Sequence, residues 1–418
     1  MTTRRRRPAA TRASAGGIGL ALAGGGPLGG IYEVGALLAL ADSIEGLDLT
    51  ALDVHVGVSS GGFVAAALAN GISPSQMYRL FIAEGSDAAM KPDIFLRPAL
   101  REFVRRAASL PGLALRATTR YLRAPLDTGL VESFATLGRA LPTGLFDARA
   151  VDAFLTRLFR APGRTNDFRK LRRPLYLVAT KLDTGASTVF GARGHDHVPI
   201  SRAIEASSAL PGLFPPVEID GEHYVDGALN KTLHASLALD HGARLVLCVN
   251  PLVPFDATVA QRERGIAPGR LHEGGLPLVL AQTFRAIIRS RMQAGMAAYA
   301  RQYPDADVLL FEPAREDADM FFANIFSYAQ RERLCALAFA TTRADLARRA
   351  GELAPVLRRH GLALRAERLR DTGRTVSHAL CDPRPLRAEP RRRRAMRQTT
   401  RDLAYVLDHL ERQLAALR

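Results

Sequence analysis

The chain has 418 residues, of which 47% are hydrophobic and 23% charged, enough for one large α/β domain with additions. Its formal net charge is +16, carried almost wholly by arginine, which points either to genome base bias or to attraction by an anionic membrane surface; no zinc finger, basic zipper or aromatic RNA-binding signature accompanies it, so no nucleic-acid partner is expected. Three cysteines, at 248, 335 and 381, form neither a disulfide framework nor a metal spacing and fit a reducing compartment.

Residues 1–17 begin with Arg4-Arg5-Arg6-Arg7 and read as a disordered basic arm. A twin-arginine export signal needs a removable apolar stretch, and the apolar stretch that follows belongs to the first strand, so no signal peptide is expected and the location reads as cytoplasmic, peripheral at the membrane. Ile18 to Ala23 is a compact apolar run of the kind found in buried parallel strands, followed by Gly24-Gly25-Gly26-Pro27-Leu28-Gly29-Gly30 and an apolar-periodic helix from Ile31 to Ile44. A strand, glycine loop and helix bring unpaired backbone N–H groups together on an anion. A P-loop would end in Gly-Lys-Ser/Thr and a dinucleotide fold would place an acidic residue after the second strand; neither is present.

In their place, Asp53 to Gly57 reads as a short strand running into Gly57-Val58-Ser59-Ser60-Gly61 and a helix from Gly61. Gly-x-Ser-x-Gly at a strand-to-helix turn presents a serine nucleophile, which makes the first loop an oxyanion hole. The stretch from Val54 to Ile72 is the nearest approach to a membrane span and is explained by this strand and helix, so no spanning helix is expected.

Residues 83–165 form an insertion in which Phe95–Arg106 and Leu113–Arg123 have the spacing of basic amphipathic helices, either a lid over the site or a surface-packed pair. His195-Asp196-His197 lacks a third ligand nearby and reads as a solvated turn. Farther on, His223-Tyr224-Val225-Asp226-Gly227-Ala228-Leu229 ends a strand in a carboxylate at a tight turn. His234 and His241 follow it and make a Ser, Asp, His triad formally open, but Ser59 comes after only two strands, earlier than α/β-hydrolases place it, so a Ser59–Asp226 dyad leads.

Cys248 sits in the apolar run Leu245 to Val249 as a core thiol. A long helix is expected over Leu276 to Tyr303, a strand over Asp307 to Phe311 and one or two helices over Phe321 to Arg349, whose Phe321, Phe322, Phe326, Tyr328 and Phe339 pack the core or wall an acyl pocket. Beyond Gly361 the chain turns basic, and Arg391-Arg392-Arg393-Arg394 leads into an amphipathic helix with Leu403, Val406, Leu407, Leu410 and Leu414 on one face, seeking the domain, a second protomer or a membrane.

The glycine loop, the Gly-x-Ser-x-Gly turn and Asp226-Gly227-Ala228 occur in the order seen in the patatin-like phospholipase family, which this chain resembles from residue 18 to about 255. Arg173 to Gly185 is similar to that family's central strand and turn, and Ala203 to Pro216 to the helix and loop before its aspartate strand; where the family often has Arg or Lys before the last loop glycine, Leu28 stands here. The resemblance implies a three-layer α/β/α fold with a mainly parallel sheet over 18–330, followed by a helical basic extension over 331–418. It implies Ser59 as nucleophile and Asp226 as general base, with Gly24, Gly29, Gly57, Gly61 and Gly227 as motif glycines. Pro27 has no N–H, so Gly25, Gly26 and Leu28 are the expected oxyanion donors. Neither metal nor organic cofactor is expected. The substrates implied are phospholipid, lysophospholipid or neutral acylglycerol esters; a general carboxylesterase, or a non-catalytic lipid-binding or regulatory protein on the same fold, are the alternatives.

Overall fold

The computed structural model describes residues 17–83, 97–99, 142–264, 271–315 and 330–381, together with several helical positions between 104 and 118. The basic arm, most of the insertion, the aromatics Phe321, Phe322, Phe326 and Tyr328, and the terminal amphipathic helix lie outside the described residues.

Ten strands are described: β1 (Gly17–Leu22), β2 (Ile44–Glu45), β3 (Val54–Val58), β4 (Leu175–Lys181), β5 (Ser187–Phe190), β6 (Val217–Ile219), β7 (Glu222–Asp226), β8 (Ala243–Val249), β9 (Asp307–Phe311) and β10 (Ala363–Leu364). The principal helices are α1 (Gly26–Ser43), α2 (Ser60–Ala69), α3 (Arg149–Phe159), α4 (Ile200–Ser207), α5 (Ala235–Asp240), α6 (Ala257–Arg264), α7 (Gly275–Gln302), α8 (Arg331–Arg348) and α9 (Ala350–Arg359). Eight strands make one sheet in the order β6-β7-β4-β3-β1-β8-β9, with β5 pairing β4; β2 and β10 form a separate two-stranded ladder. The pairings from β4 through β3, β1 and β8 to β9 are parallel, and β5, β6 and β7 are added antiparallel.

Because successive strand residues point to opposite faces, β1 splits its side chains between two cores. Leu20 and Leu22 join the larger core with α1, α2, α4 and α8, whereas Ala21 and Ala23 join the second with α5 and α7. The small alanines let the second helix layer approach closely, and Cys248 packs there as a free, buried thiol that burial pushes up in pKa. A sheet with helices on both faces is the three-layer arrangement expected of a parallel sheet.

The helix that follows the expected boundary at 330 packs on the first helix of the fold. A Cβ at Gly35 of α1 would lie 2.4 Å from the Cys335 carbonyl oxygen and 2.8 Å from the Ala338 Cβ of α8, so the two backbones touch where a side chain is missing. Phe339, fully buried, belongs to this contact region of the core rather than to the cavity beside Ser59. Among the described residues no helix is long and apolar enough to cross a membrane.

Candidate active site

Strand register brings Ser59 and Asp226 together. On one edge of β4, Val178 pairs with Val58 of β3 and the next residue, Ala179, pairs with Asp226 of β7. Since β5 pairs with Leu177 to Thr180, it occupies the opposite edge, so β3 and β7 share one edge and approach head-on. Neither chain can continue straight. The first turns at Ser59 into α2 and the second at Asp226 into the short 3-10 turn Gly227–Leu229.

The turn at Ser59 has φ 53°, left-handed backbone that a non-glycine residue holds at a cost of about 1–3 kcal/mol. Small neighbours make it feasible: a Cβ at Gly61 would lie 2.4 Å from the Ala23 carbonyl oxygen, and one at Gly57 would lie 2.4 Å from the Gly61 carbonyl oxygen. The strain is held by a bond that sequence reasoning missed. The Ser59 N–H donates to Ser207 Oγ at 2.8 Å, and that hydroxyl donates to the Val178 carbonyl at 2.6 Å. Ser207, at the end of α4, is fully buried, and nothing in its Ala-Ser-Ser context distinguishes it from Ser208 beyond helical phase.

Ser59 Oγ donates to Asp226 Oδ2 at 2.6 Å, and the Ala228 N–H donates to Asp226 Oδ1 at 2.8 Å, so each carboxylate oxygen has one partner. The Asp226 N–H is tied to the Ala209 carbonyl and its own carbonyl accepts from Thr180 Oγ1. Burial pushes the Asp226 carboxyl up to about 6, against the opposing pull of the Ser59 and Ala228 hydrogen bonds. At neutral pH it is ionised yet basic enough to take a proton. A Cβ at Gly227 would lie 2.2 Å from the Val178 carbonyl oxygen, which explains glycine after the aspartate.

The glycine loop wraps the N-terminus of α1. Gly25 is the cap, and Gly26 and Leu28 stand in the first turn, where N–H groups have no intrahelical acceptor. Gly29 N–H is already used by the Gly25 carbonyl at 3.0 Å. Gly24 backs the serine, its Cβ position 3.0 Å from Ser59 Cβ, and Gly25 lies against Pro251. No acidic side chain occupies this first turn, so the positive end of the helix faces the site uncompensated.

Gly26, Pro27, Ser59 and Asp226 line a cavity of about 150 Å³. Its walls are apolar: Phe63 and Phe81, with ring centroids 4.9 Å apart in an edge-on contact, then Leu155 and Ile204, then Leu210, Leu213 and Phe214. Phe63 comes from α2, Phe81 from the helical turn Tyr78–Ile82 and Phe214 from the 210–214 loop. Glu205 lines the wall and is ion-paired to Arg202; burial raises its pKa and the Arg202 charge pulls it back. Among the described residues no histidine lines the cavity. His241 binds the Leu237 carbonyl through Nδ1 and stacks on Tyr176, while His234 is buried in the second core, where burial holds its imidazole down to about 3. His197 of the 195–197 turn pairs with Asp220.

Solved structures with some likeness include VipD from Legionella pneumophila (16% identity, TM-score 0.32, covering 77% of this chain and 66% of that one). Others are the type III effector ExoU of Pseudomonas aeruginosa (16%, 0.34, 80% and 53%) and human GIVD cytosolic phospholipase A2 in complex with methyl γ-linolenyl fluorophosphonate (15%, 0.33, 83% and 59%). The chain thus spans 53–66% of the length of these proteins. The model of the patatin-like phospholipase family matches residues 20–239, more than half of the sequence and the whole of the segment from the glycine loop to the Asp226 turn, and the chain belongs to that family.

Proposed function

We propose that this protein hydrolyses acyl esters of lipids through Ser59 as nucleophile and Asp226 as general base. The observation that carries the reading is the 2.6 Å hydrogen bond from Ser59 Oγ to a buried carboxylate, made by a serine in strained backbone that lines an apolar cavity. Membership of a phospholipase family supports a lipid ester as substrate.

Asp226 takes the Ser59 proton as Oγ attacks the ester carbonyl. The negative charge that develops on the carbonyl oxygen is met by N–H groups of the α1 N-terminus, drawn from Gly25, Gly26 and Leu28, each donor contributing roughly 2.7–4 kcal/mol. Collapse returns the proton from Asp226 to the leaving alcohol and leaves an acyl-Ser59 ester. Water, deprotonated by Asp226, then attacks that ester; the bond to Ser59 Oγ breaks, Asp226 returns the proton to that oxygen, and the fatty acid leaves. The apolar walls accept the acyl chain, and they exclude water that would otherwise solvate the carboxylate and weaken it as a base.

The test is labelling of the purified chain with a fluorophosphonate probe and mass mapping of the adduct, with Ser59→Ala and Asp226→Asn alongside. Labelling at Ser59 that vanishes in the first variant and drops sharply in the second is the expected result. A folded wild type that stays unlabelled in detergent and with anionic vesicles present transfers the weight to lipid binding without hydrolysis.

A further inference from the structure

Helix α7 is apolar on both sides along its first half. Leu278 faces the small cluster of Phe255 and Ala260, and Met292 and Tyr299 are buried in the second core. On the outer face, Leu276 is 70% exposed, Val279 41%, Leu280 44%, Phe284 52% and Ile287 48%. Their spacing of three and four makes one stripe about 16 Å long at 1.5 Å rise per residue. The second half of the same face is polar, with Ser290, Arg291 and Gln293 exposed. A helix apolar all round belongs in an interior or against another apolar phase.

The stripe lies at the edge of the sheet where Ser59 is presented. α7 connects the parallel strands β8 and β9, so it runs against them, and its first half stands beyond the carboxyl ends of β1, β3 and β8. Two hydrogen bonds join Gln282 to the Phe255 backbone, four residues after the Pro251 that touches Gly25, and Arg291 donates to the carbonyls of Leu229 and Asn230, just past Asp226. The other exposed large apolar side chains among the described residues include Leu145, Leu210 and Leu229, in loops on this same edge; Leu210 is also a wall of the cavity.

We infer that the outer face of α7 from Leu276 to Ile287, continued by the rim at Leu210 and Leu229, is the surface on which this protein sits on an anionic phospholipid bilayer. The charge pattern selects that occupant. α7 holds four arginines and not one Asp or Glu in a chain of net charge +16; Arg285 is half-buried and Arg289 pairs with Glu312, while Arg291, exposed, flanks the stripe and also reaches the Leu229 and Asn230 carbonyls. Apolar side chains entering the acyl boundary, flanked by an exposed arginine on a strongly basic chain, have the composition of an interfacial helix. The inference rests on the lipid-ester reading, since it places the cavity mouth against the phase that holds the substrate, so that an acyl chain passes from bilayer to cavity without crossing water.

The experiment is co-sedimentation of the full chain with vesicles of phosphatidylcholine alone and of phosphatidylcholine mixed with phosphatidylglycerol, for wild type, Leu280→Glu/Phe284→Glu and Gln293→Glu. Two carboxylates in the stripe are expected to lower partition onto the mixed vesicles about tenfold or more, with an unchanged melting temperature, whereas the change at Gln293 leaves partition as it was. Equal partition of wild type and the stripe variant overturns the inference, as does a wild-type dimer that the stripe variant dissociates on size exclusion, which makes a second copy the occupant. Hydrolysis of a short soluble ester by wild type separates the two claims: hydrolysis without vesicle binding sinks the docking face alone, and stripe-dependent binding without hydrolysis sinks the catalytic reading alone.

Discussion

Ser207 Oγ accepts the Ser59 N–H at 2.8 Å and passes its own hydrogen to the Val178 carbonyl at 2.6 Å, so one buried hydroxyl ties the strained Ser59 to β4, the strand that also seats Asp226. Ser207→Ala leaves a buried N–H and a buried carbonyl each short of a partner, a cost of about 1–3 kcal/mol in stability. It also frees the Ser59 backbone to relax. On a soluble ester, kcat is expected to fall about 10–100-fold with KM little changed. A lower melting temperature with unaltered kcat would reduce Ser207 to a purely structural role.

The buried carboxyl of Asp226, pushed up to about 6, sets a pH profile. The proposed base works only when ionised, so kcat/KM is expected to rise through pH about 6 and level off above it. Asp226→Asn should remove that limb and lower the rate about 10²–10⁴-fold. An ascending limb that survives in the variant would assign it to another group.

The same shift has a sign for stability. Its folded pKa lies above the ordinary 3.8, so the native state holds the proton more tightly. Stability from this group is complete below 3.8, falls as pH rises through about 6, and stays low above. The ionised carboxylate therefore burdens the fold at neutral pH by up to about 3 kcal/mol. Asp226→Asn should resist urea better than wild type at pH about 8 and gain much less at pH about 4. A variant less stable than wild type at the higher pH would show that the charge is better compensated than its surroundings indicate.

Gly25 has no room for a side chain: a Cβ there would lie 2.5 Å from Pro251 Cγ and 2.8 Å from Gly29 Cα. Gly25→Ala must move the loop that supplies the proposed oxyanion donors, and kcat is expected to drop about 10²–10³-fold while circular dichroism is retained. At Gly30 the nearest atom, Ser60 Cβ, is 3.6 Å away, so Gly30→Ala is the tolerated comparison. Equal kinetics in both variants would detach the loop from the chemistry.

Asp42, at the end of α1, ties residues 365–381 to the core. Its side chain is 2% exposed and binds Arg368 at 2.8 Å and Arg374 at 2.7 Å. Burial alone would raise its pKa, but the hydrogen bonds and charges of Arg374 and Arg368 hold it below the ordinary carboxylate value. The stability it supplies is present above 3.8 and lost as pH falls through the depressed value. Asp42→Ala removes the buried carboxylate that both guanidinium groups bind and should cost up to about 3–5 kcal/mol in urea unfolding. An unfolding free energy within error of wild type would show that the arginines find other partners.

Much of this was legible in the sequence because it is written in local, one-dimensional patterns. The apolar runs at Ile18, Asp53, Leu245 and Asp307 became β1, β3, β8 and β9, since continuous apolar segments bounded by turns are what a sheet covered on both faces demands. The placing of Ser59 and Asp226 at tight turns after strands was readable from glycine spacing, because such turns need small residues around them. Tertiary structure decided the rest. That β3 and β7 meet head-on along one edge of β4 is a matter of register, which no local pattern carries. The roles of Ser207 and of Phe63 and Phe81 follow from it, as does the closing of α8 onto Gly35, because those contacts join residues far apart in sequence and depend on which face of an element is turned inward. The periodicity of α7 showed a helix; only its place at the carboxyl edge of the sheet showed that a stripe of its apolar side chains stays exposed.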